Sequence, residues 1–304
     1  MPLALVIGGV SYNTMVYLDT FPNPVPQTII SRGFHETIGS TGAGKALNLR
    51  KLGFDVTLHA LIGDDTYGRR VAELLAAEQV GFIYDVDPRG TQRHLNLMDQ
   101  AGGRISIFLE PGTFEPDFDR ARVEQLVPGS DYVVLNISNY CRTLIPAIQR
   151  HRRPIWCDVH DYDGTSSYYA DFVDAADFLF LSSDHMPDYR PFMQAMSAQG
   201  KRLVVCTHGR LGATALTDAG AWIETPIVAT YPQTDTNGAG DSFFAGYLFG
   251  HARGYRAEQC LRIAAVTSGL CVTTAELALP ELSPELLARE FAAAYGQPLD
   301  TGTI

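Results

Sequence analysis

The sequence predicts an α/β protein: a three-layer α/β/α sandwich with a mostly parallel central sheet and a small β-sheet lid. Three observations predict it. Leu3–Val10 is a nearly continuous apolar run with Gly8 and Gly9 near its end, the pattern of a strand buried on both faces. Short apolar runs then alternate with helical patterns along most of the chain, as parallel strands joined by crossover helices do. One stretch, Thr91–Glu110, breaks that alternation: two alternating segments flank Gly102-Gly103 and read as a hairpin.

The elements follow in order. Asp19–Gln27 holds Pro22, Pro24 and Pro26 and must be extended. Thr28–Thr37 alternates loosely and is expected to be a strand of the small sheet. Ala43–Leu52 is helical in pattern and closed by Gly53. Phe54–Ile62 reads as a strand and Tyr67–Gln79 as a helix, with Val71, Leu74 and Leu75 on its apolar face. After Pro111 come helix Asp119–Leu126, strand Tyr132–Ile137, helix Thr143–Arg150 and strand Pro154–Val159. Helix Ser167–Asp174, strand Phe178–Leu181, helix Arg190–Gln199 and strand Arg202–Thr207 complete the alternation. Residues 1–304 are expected to form one domain, its lid drawn from roughly 13–37 and 91–111.

Composition narrows the function. The 304 residues are 46% hydrophobic, enough for a full core, and carry a net charge of −11. That charge disfavours generic binding to nucleic acid or anionic membrane. The five cysteines are scattered without a CxxC pair, which fits a reduced, cytoplasmic setting. The first ten residues lack a basic n-region and read as a strand, not a signal peptide. No apolar run approaches the ~18 residues of a membrane span.

The stretch that carries chemistry is Asp235-Thr-Asn-Gly-Ala-Gly-Asp-Ser-Phe243. Gly238, Ala239 and Gly240 precede Asp241, and an apolar helical run follows. A tight turn opening a helix would aim three backbone N–H groups, and the positive end of the helix dipole, at one anion. Asp241, in the first turn, would be placed to accept a proton from an attacking hydroxyl. A Gly-rich loop whose Asp merely stabilises a helix start is the simpler alternative.

This string resembles the DTxGAGDxF signature of the PfkB/ribokinase-like carbohydrate kinases, and the order of segments resembles that family from end to end. The resemblance implies a ribokinase-like fold, an ATP-dependent kinase, Asp241 as catalytic base and Gly238, Ala239 and Gly240 as anion hole. It implies a nucleotide loop at Thr207-His-Gly-Arg-Leu-Gly212, with Thr207, Gly209 and Gly212 near the nucleotide. It marks Asp235 and Thr236 as lining a loop that in some relatives binds a monovalent cation. Mg²⁺ is expected with ATP. The lid often serves as a dimer clasp in this family, so a homodimer through the lid is also implied.

On the acceptor side the resemblance places Asn13, Gly39, Ser40, Gly44, Arg93 and Ser138. Several depart from the family pattern: Ser40 replaces a glycine, Gly44 stands where an asparagine commonly holds substrate, and Asn13 and Ser138 replace carboxylates that grip ribose. Lys45 reads either as a solvated helix lysine or as a charge for an anionic acceptor, and Arg93 as a surface arginine or a substrate contact. Ser182 and His185 replace both residues of the family's NxxE, with Asp184 one position away. Gly39–Ala46 nearly spells a P-loop, but Ala46 lacks the hydroxyl that a P-loop uses to hold Mg²⁺.

The expected activity is therefore phosphoryl transfer from ATP to a hydroxyl of a sugar or sugar-like small molecule. A nucleoside kinase, a non-catalytic sugar or nucleotide sensor on the same fold, and a P-loop NTPase are the rival readings.

Overall fold

The structure is a computed structural model and describes residues 1–100 and 102–302. In chain order the strands and helices are β1 (Leu3–Ile7), β2 (Ser11–Tyr17), β3 (Gly33–Gly39), α1 (Thr41–Lys51), β4 (Asp55–Ile62), α2 (Thr66–Ala77), β5 (Gly81–Val86), β6 (Arg93–Met98), β7 (Arg104–Glu110), α3 (Arg120–Glu124), β8 (Tyr132–Leu135), α4 (Ile145–Arg150), β9 (Ile155–Asp158), α5 (Ala170–Ala175), β10 (Phe178–Ser182), α6 (Tyr189–Ala198), β11 (Leu203–Thr207), β12 (Ala213–Thr217), β13 (Trp222–Thr225), α7 (Ala239–Ala252), α8 (Ala257–Cys271) and α9 (Pro284–Tyr295).

The main sheet has nine strands in the order β13-β12-β11-β10-β9-β8-β1-β4-β5. From β5 to β11 neighbouring strands are parallel, and β12 and β13 extend the sheet antiparallel. The chain builds outward from β1 through β4 to β5, then returns to the other side of β1 with β8. That reversal leaves a crevice beyond the C-terminal ends of β1 and β8, the place where open α/β sheets bind ligands.

Alternation along each strand feeds two cores. Ala4, Val6, Val134, Phe178 and Phe180 point to one face, under α1, α2, α7, α8 and α9. Leu5, Ile7, Val133, Leu135, Leu179 and Leu181 point to the other, under α3 to α6. Trp156 anchors the first core: it is 1% exposed and its ring stacks on Phe178 at 3.9 Å. Helices α7 and α8 are packed tightly enough that a Cβ at Gly246 would run into the Thr267 hydroxyl. Among the described residues no helix is long and apolar enough to cross a membrane.

The lid is a separate sheet of four strands, β3-β2-β6-β7. The expected hairpin is β6–β7, and β2–β3 supplies the other half. Ala101, inside the hairpin connection, lies outside the described residues. The expected strand at Thr28–Thr37 is displaced: Thr28–Ser31 belongs to the irregular connection, and the strand runs from Gly33 to Gly39. Strand β5, strand β13 and helix α9 were not expected. Strand β5 is a half-exposed edge, and β13 is only four residues long, so neither shows a clear burial period. Helix α9 did carry signals: Ser283 accepts a hydrogen bond from the Leu286 N–H as N-cap, Pro284 follows it, and Leu287 and Phe291 are buried one turn apart.

Truncating Trp156→Ala should cost about 3–5 kcal/mol, the range for a large aromatic removed from a packed core. Urea denaturation with an unchanged m-value and a lowered midpoint would show it.

Candidate active site

The turn before α7 is built as its sequence suggests. Gly238 is the helix N-cap in the left-handed region, with φ 79°. A side chain there would be strained, and its Cβ would press on the Leu277 backbone. Upstream, the Asp235 carboxylate accepts the Asn237 N–H at 2.7 Å and the Tyr17 hydroxyl at 2.8 Å. Asp235 is 2% exposed, and the Thr236 hydroxyl donates to the Gly102 carbonyl at 3.1 Å. Both side chains that the sequence associated with a cation loop are thus bonded, Asp235 in part and Thr236 wholly to the lid. The turn departs from a three-donor anion hole in one respect. The Ala239 N–H points back to the Thr236 carbonyl at 3.3 Å, while among the described residues Gly238 and Gly240 have no such bond.

Asp241 lies in the first turn of α7 and is 7% exposed. One carboxylate oxygen, Oδ1, accepts from Lys45 Nζ at 2.6 Å; the same Nζ is 3.1 Å from Asp158 Oδ2. Lys45 is completely buried, so it is neither the solvated lysine nor the acceptor-facing charge that the sequence allowed. The other oxygen, Oδ2, sits against Gly44, where any Cβ would collide with it. Gly44 therefore makes room for the carboxylate.

Asp158 ends β9, and His160 two residues later contributes a ring whose Nδ1 is 3.3 Å from Asp158 Oδ2. His160 Nε2 is buried and has no hydrogen-bond partner among the described residues. Burial pushes the Asp241 carboxyl above the usual carboxylate range, with Lys45 and then His160 pulling it partly back. Burial acts on Asp158 in the same direction, but His160 and Lys45 outweigh it and hold that carboxyl down to about 2. For Lys45 burial favours the neutral amine, yet the two carboxylates overcome it and keep the ammonium. A carboxylate raised toward neutrality in a buried site is suited to accept a proton.

The acceptor candidates gather at the crevice, with one set apart. Gly39 ends β3 against Asn13, whose amide oxygen accepts the Ser11 hydroxyl at 2.8 Å. Ser40 is the N-cap of α1 with φ 71° and lies beside Gly9. Ser138 follows β8 next to Gly8. Asn136 ties these pieces together by donating to the Ile7 and Gly8 carbonyls and accepting from the Thr41 hydroxyl at 3.2 Å. Arg93 opens β6 and stacks its guanidinium on the Tyr67 ring at 3.9 Å.

In the loop expected to border the nucleotide, Thr207 ends β11, and Gly209 to Leu211 form a 3-10 turn closed by Gly212. His208, given no role from sequence, organises this loop. Its ring nitrogens lie 3.0 Å from the Ser183 hydroxyl and 2.9 Å from the Thr214 hydroxyl, and the ring packs on Tyr189 at 4.4 Å. A cleft of about 570 Å³ opens beside the loop, lined by Ser183, His208, Leu211, Thr214 and Thr225 among others. At the end of β10, His185 Nδ1 lies 3.1 Å from the Asp161 carbonyl, and Asp184 is exposed. Among the described residues no group of three or more His, Cys, Asp or Glu side chains could hold a metal ion, so these residues do not build a protein cage for Mg²⁺.

The fold is thus a nine-stranded sandwich with a β-lid that sets an acid behind a glycine N-cap at the sheet's C-terminal edge. Residues 1–283 match the profile of the pfkB family carbohydrate kinases, and the chain belongs to that family of phosphotransferases with an alcohol acceptor. It is 29% identical over 276 residues to an acarbose 7(IV)-phosphotransferase of Actinoplanes sp., a match covering 88% of this chain and 91% of that protein. It is 25% identical over 283 residues to a nucleoside kinase of Methanothermobacter thermautotrophicus, covering 88% of each. Among solved structures, a microbiome-derived acarbose kinase superposes with a TM-score of 0.86 at 26% identity, covering 96% of this chain and 99% of that one. A ribokinase of Arabidopsis thaliana, solved with ribose and ATP, superposes with a TM-score of 0.78 at 20% identity over 95% and 98% of the two chains, and shares the fold.

Asp158, His160 and the true place of Lys45 escaped the sequence reading. The one signal was Asp158 at the end of an apolar strand, Ile155–Cys157, a position that faces the crevice in a parallel sheet. Substituting Gly44→Ala should displace the Asp241 carboxylate and lower sugar-dependent ATP turnover about 10²-fold, the scale of a 1 Å misplacement. Steady-state kinetics beside a thermal melt would separate this from global unfolding.

Proposed function

We propose that the protein transfers the γ-phosphoryl group of ATP to a hydroxyl of a neutral, sugar-like small molecule, with Asp241 as the base. The observation that carries this reading is the position of Asp241: one turn into α7, behind the Gly238 N-cap, its carboxylate raised above its ordinary range. The acceptor hydroxyl would approach the carboxylate from the crevice. As the new O–P bond forms and the bond from the γ-phosphorus to the β,γ-bridging oxygen breaks, the proton passes to Asp241 and ADP leaves. The Gly238 and Gly240 amides and the positive end of α7 would stabilise charge on the migrating group. Any Mg²⁺ would arrive on the nucleotide's phosphates rather than in a protein cage.

A neutral acceptor is favoured because the ammonium expected to attract an anion is committed elsewhere: Lys45 is buried between Asp241 and Asp158. The relatives named as acarbose kinases support a carbohydrate or carbohydrate-like acceptor with many hydroxyls. The residues proposed to border it, Asn13, Ser40 and Ser138, are uncharged donors and acceptors suited to hydroxyl groups. Gly39 and Gly44 add no side chain. Thr207, Gly209 and Gly212 are proposed to border the nucleotide, with Asp235 and Thr236 holding the turn that faces it. A homodimer through the lid is supported by the exposed apolar residues on β7, including Ile107, Phe108 and Leu109.

Asp241→Asn should lower kcat about 10²–10⁴-fold while leaving ATP affinity nearly unchanged. The assay is ATP consumption across neutral oligosaccharides, monosaccharides, sugar phosphates and nucleosides, with ATP binding measured separately. Near-normal turnover in this variant would remove Asp241 from the base role, and preference for a sugar phosphate would overturn the neutral acceptor.

A further inference from the structure

A fully buried lysine touching the one acid in the first turn of α7 calls for a role. Two facts bear on it. Lys45 Nζ is 0% exposed and shared between Asp241 at 2.6 Å and Asp158 at 3.1 Å. Gly44, the residue before it, has no side chain, and only that absence lets the Asp241 carboxylate lie against α1. Asp241 is thus held through Oδ1 by Lys45, with Oδ2 lying against Gly44 of the same helix α1.

We propose that Lys45 is a positioning residue for Asp241: shared with Asp158, it fixes one carboxylate oxygen and supplies the countercharge that lets the buried carboxylate remain ionised between turnovers. The proposal rests on Asp241 being the base. Removing an ion from water costs several kcal/mol unless a partner compensates it, so a buried carboxylate without Lys45 would hold its proton and cease to be a base at neutral pH. Asp158 has the opposite effect. It competes for the same ammonium and adds a second negative charge nearby, which keeps Asp241 from being bound so firmly that it cannot accept a proton.

The groups facing Asp241 are Lys45 from α1, Asp158 and His160 from the end of β9, and Cys271 from the end of α8. Cys271 is a buried thiol whose own pKa is pushed up to about 12, so it stays neutral and leaves the balance to the other three. The two substitutions therefore carry opposite signs. Losing Lys45 moves the Asp241 titration to higher pH. Losing the Asp158 charge moves it to lower pH.

The test reads Asp241 directly and needs no acceptor. Protein with ¹³Cγ-labelled aspartate is titrated by NMR, and the Asp241 resonance is assigned by its absence in Asp241→Asn. In folded Lys45→Met the titration should shift to higher pH, and Lys45→Arg should largely restore it. In Asp158→Asn it should shift to lower pH. A folded Lys45→Met whose Asp241 titrates as in the parent overturns the proposal. Should that variant fail to fold, Asp158→Asn decides: a downward shift supports the shared clamp, and no shift overturns it. Once an acceptor is in hand, the acid limb of kcat/KM should move in the same directions, with Lys45→Met at least about tenfold slower at pH 7 and its KM for ATP little changed. Opposite NMR shifts with no phosphorylation of any acceptor would defeat the kinase reading and leave the clamp standing, whereas an active kinase with immobile shifts would do the reverse.

Discussion

The ammonium of Lys45 joins three parts of the fold that meet nowhere else in the sequence. It comes from α1, donates to the Asp241 carboxylate of α7, lies against the Asp158 carboxylate at the end of β9, and is sealed from solvent. A cation buried alone would cost far more than this fold could recover, so helix and strand ends must converge on it. The convergence fixes how α7 lies on the sheet, and with it the direction of the helix mouth. The close packing of α7 on α8, where Gly246 leaves space for Thr267, supports the same orientation from the far side. The position of the start of α7 and the charge around Asp241 are therefore linked through Lys45.

Much of the fold was legible because parallel strands buried on both faces are written as uninterrupted apolar runs. Leu3–Ile7 and Leu203–Cys206 have that form, and each sends alternate residues to a different core. Strands that lie at edges lack it, which is why β5 and β13 went unread. The turn before α7 was readable for another reason: small residues before an acid impose a local geometry that distant packing does not need to supply. Its finer detail was not readable, since the Ala239 N–H is diverted by the carbonyl of Thr236.

The candidate site was harder to read than the fold because its decisive contacts span long sequence separations. Lys45 and Asp241 are 196 residues apart, and no local pattern tells a buried lysine from a solvated one. Nothing in the surroundings of Lys45 announces burial except Gly44, whose meaning appears only when α7 is laid beside it. Arg93 reads from sequence as a surface arginine or a substrate contact, and that its planar group lies on the Tyr67 ring depends on how the lid meets α2. His208 shows the same limit in reverse: a residue without a motif proved to be the hub of its loop.

The hairpin end of the lid rests on the segment leading into α7. The Gly102 carbonyl receives the Thr236 hydroxyl, Arg104 donates to Asn237 at 3.0 Å, and Tyr17 donates to Asp235 at 2.8 Å. These three bonds run from two different lid strands and the hairpin connection to three consecutive residues, 235 to 237, so the cover and the approach to the glycine turn are braced against each other and a change that loosens one loosens the other.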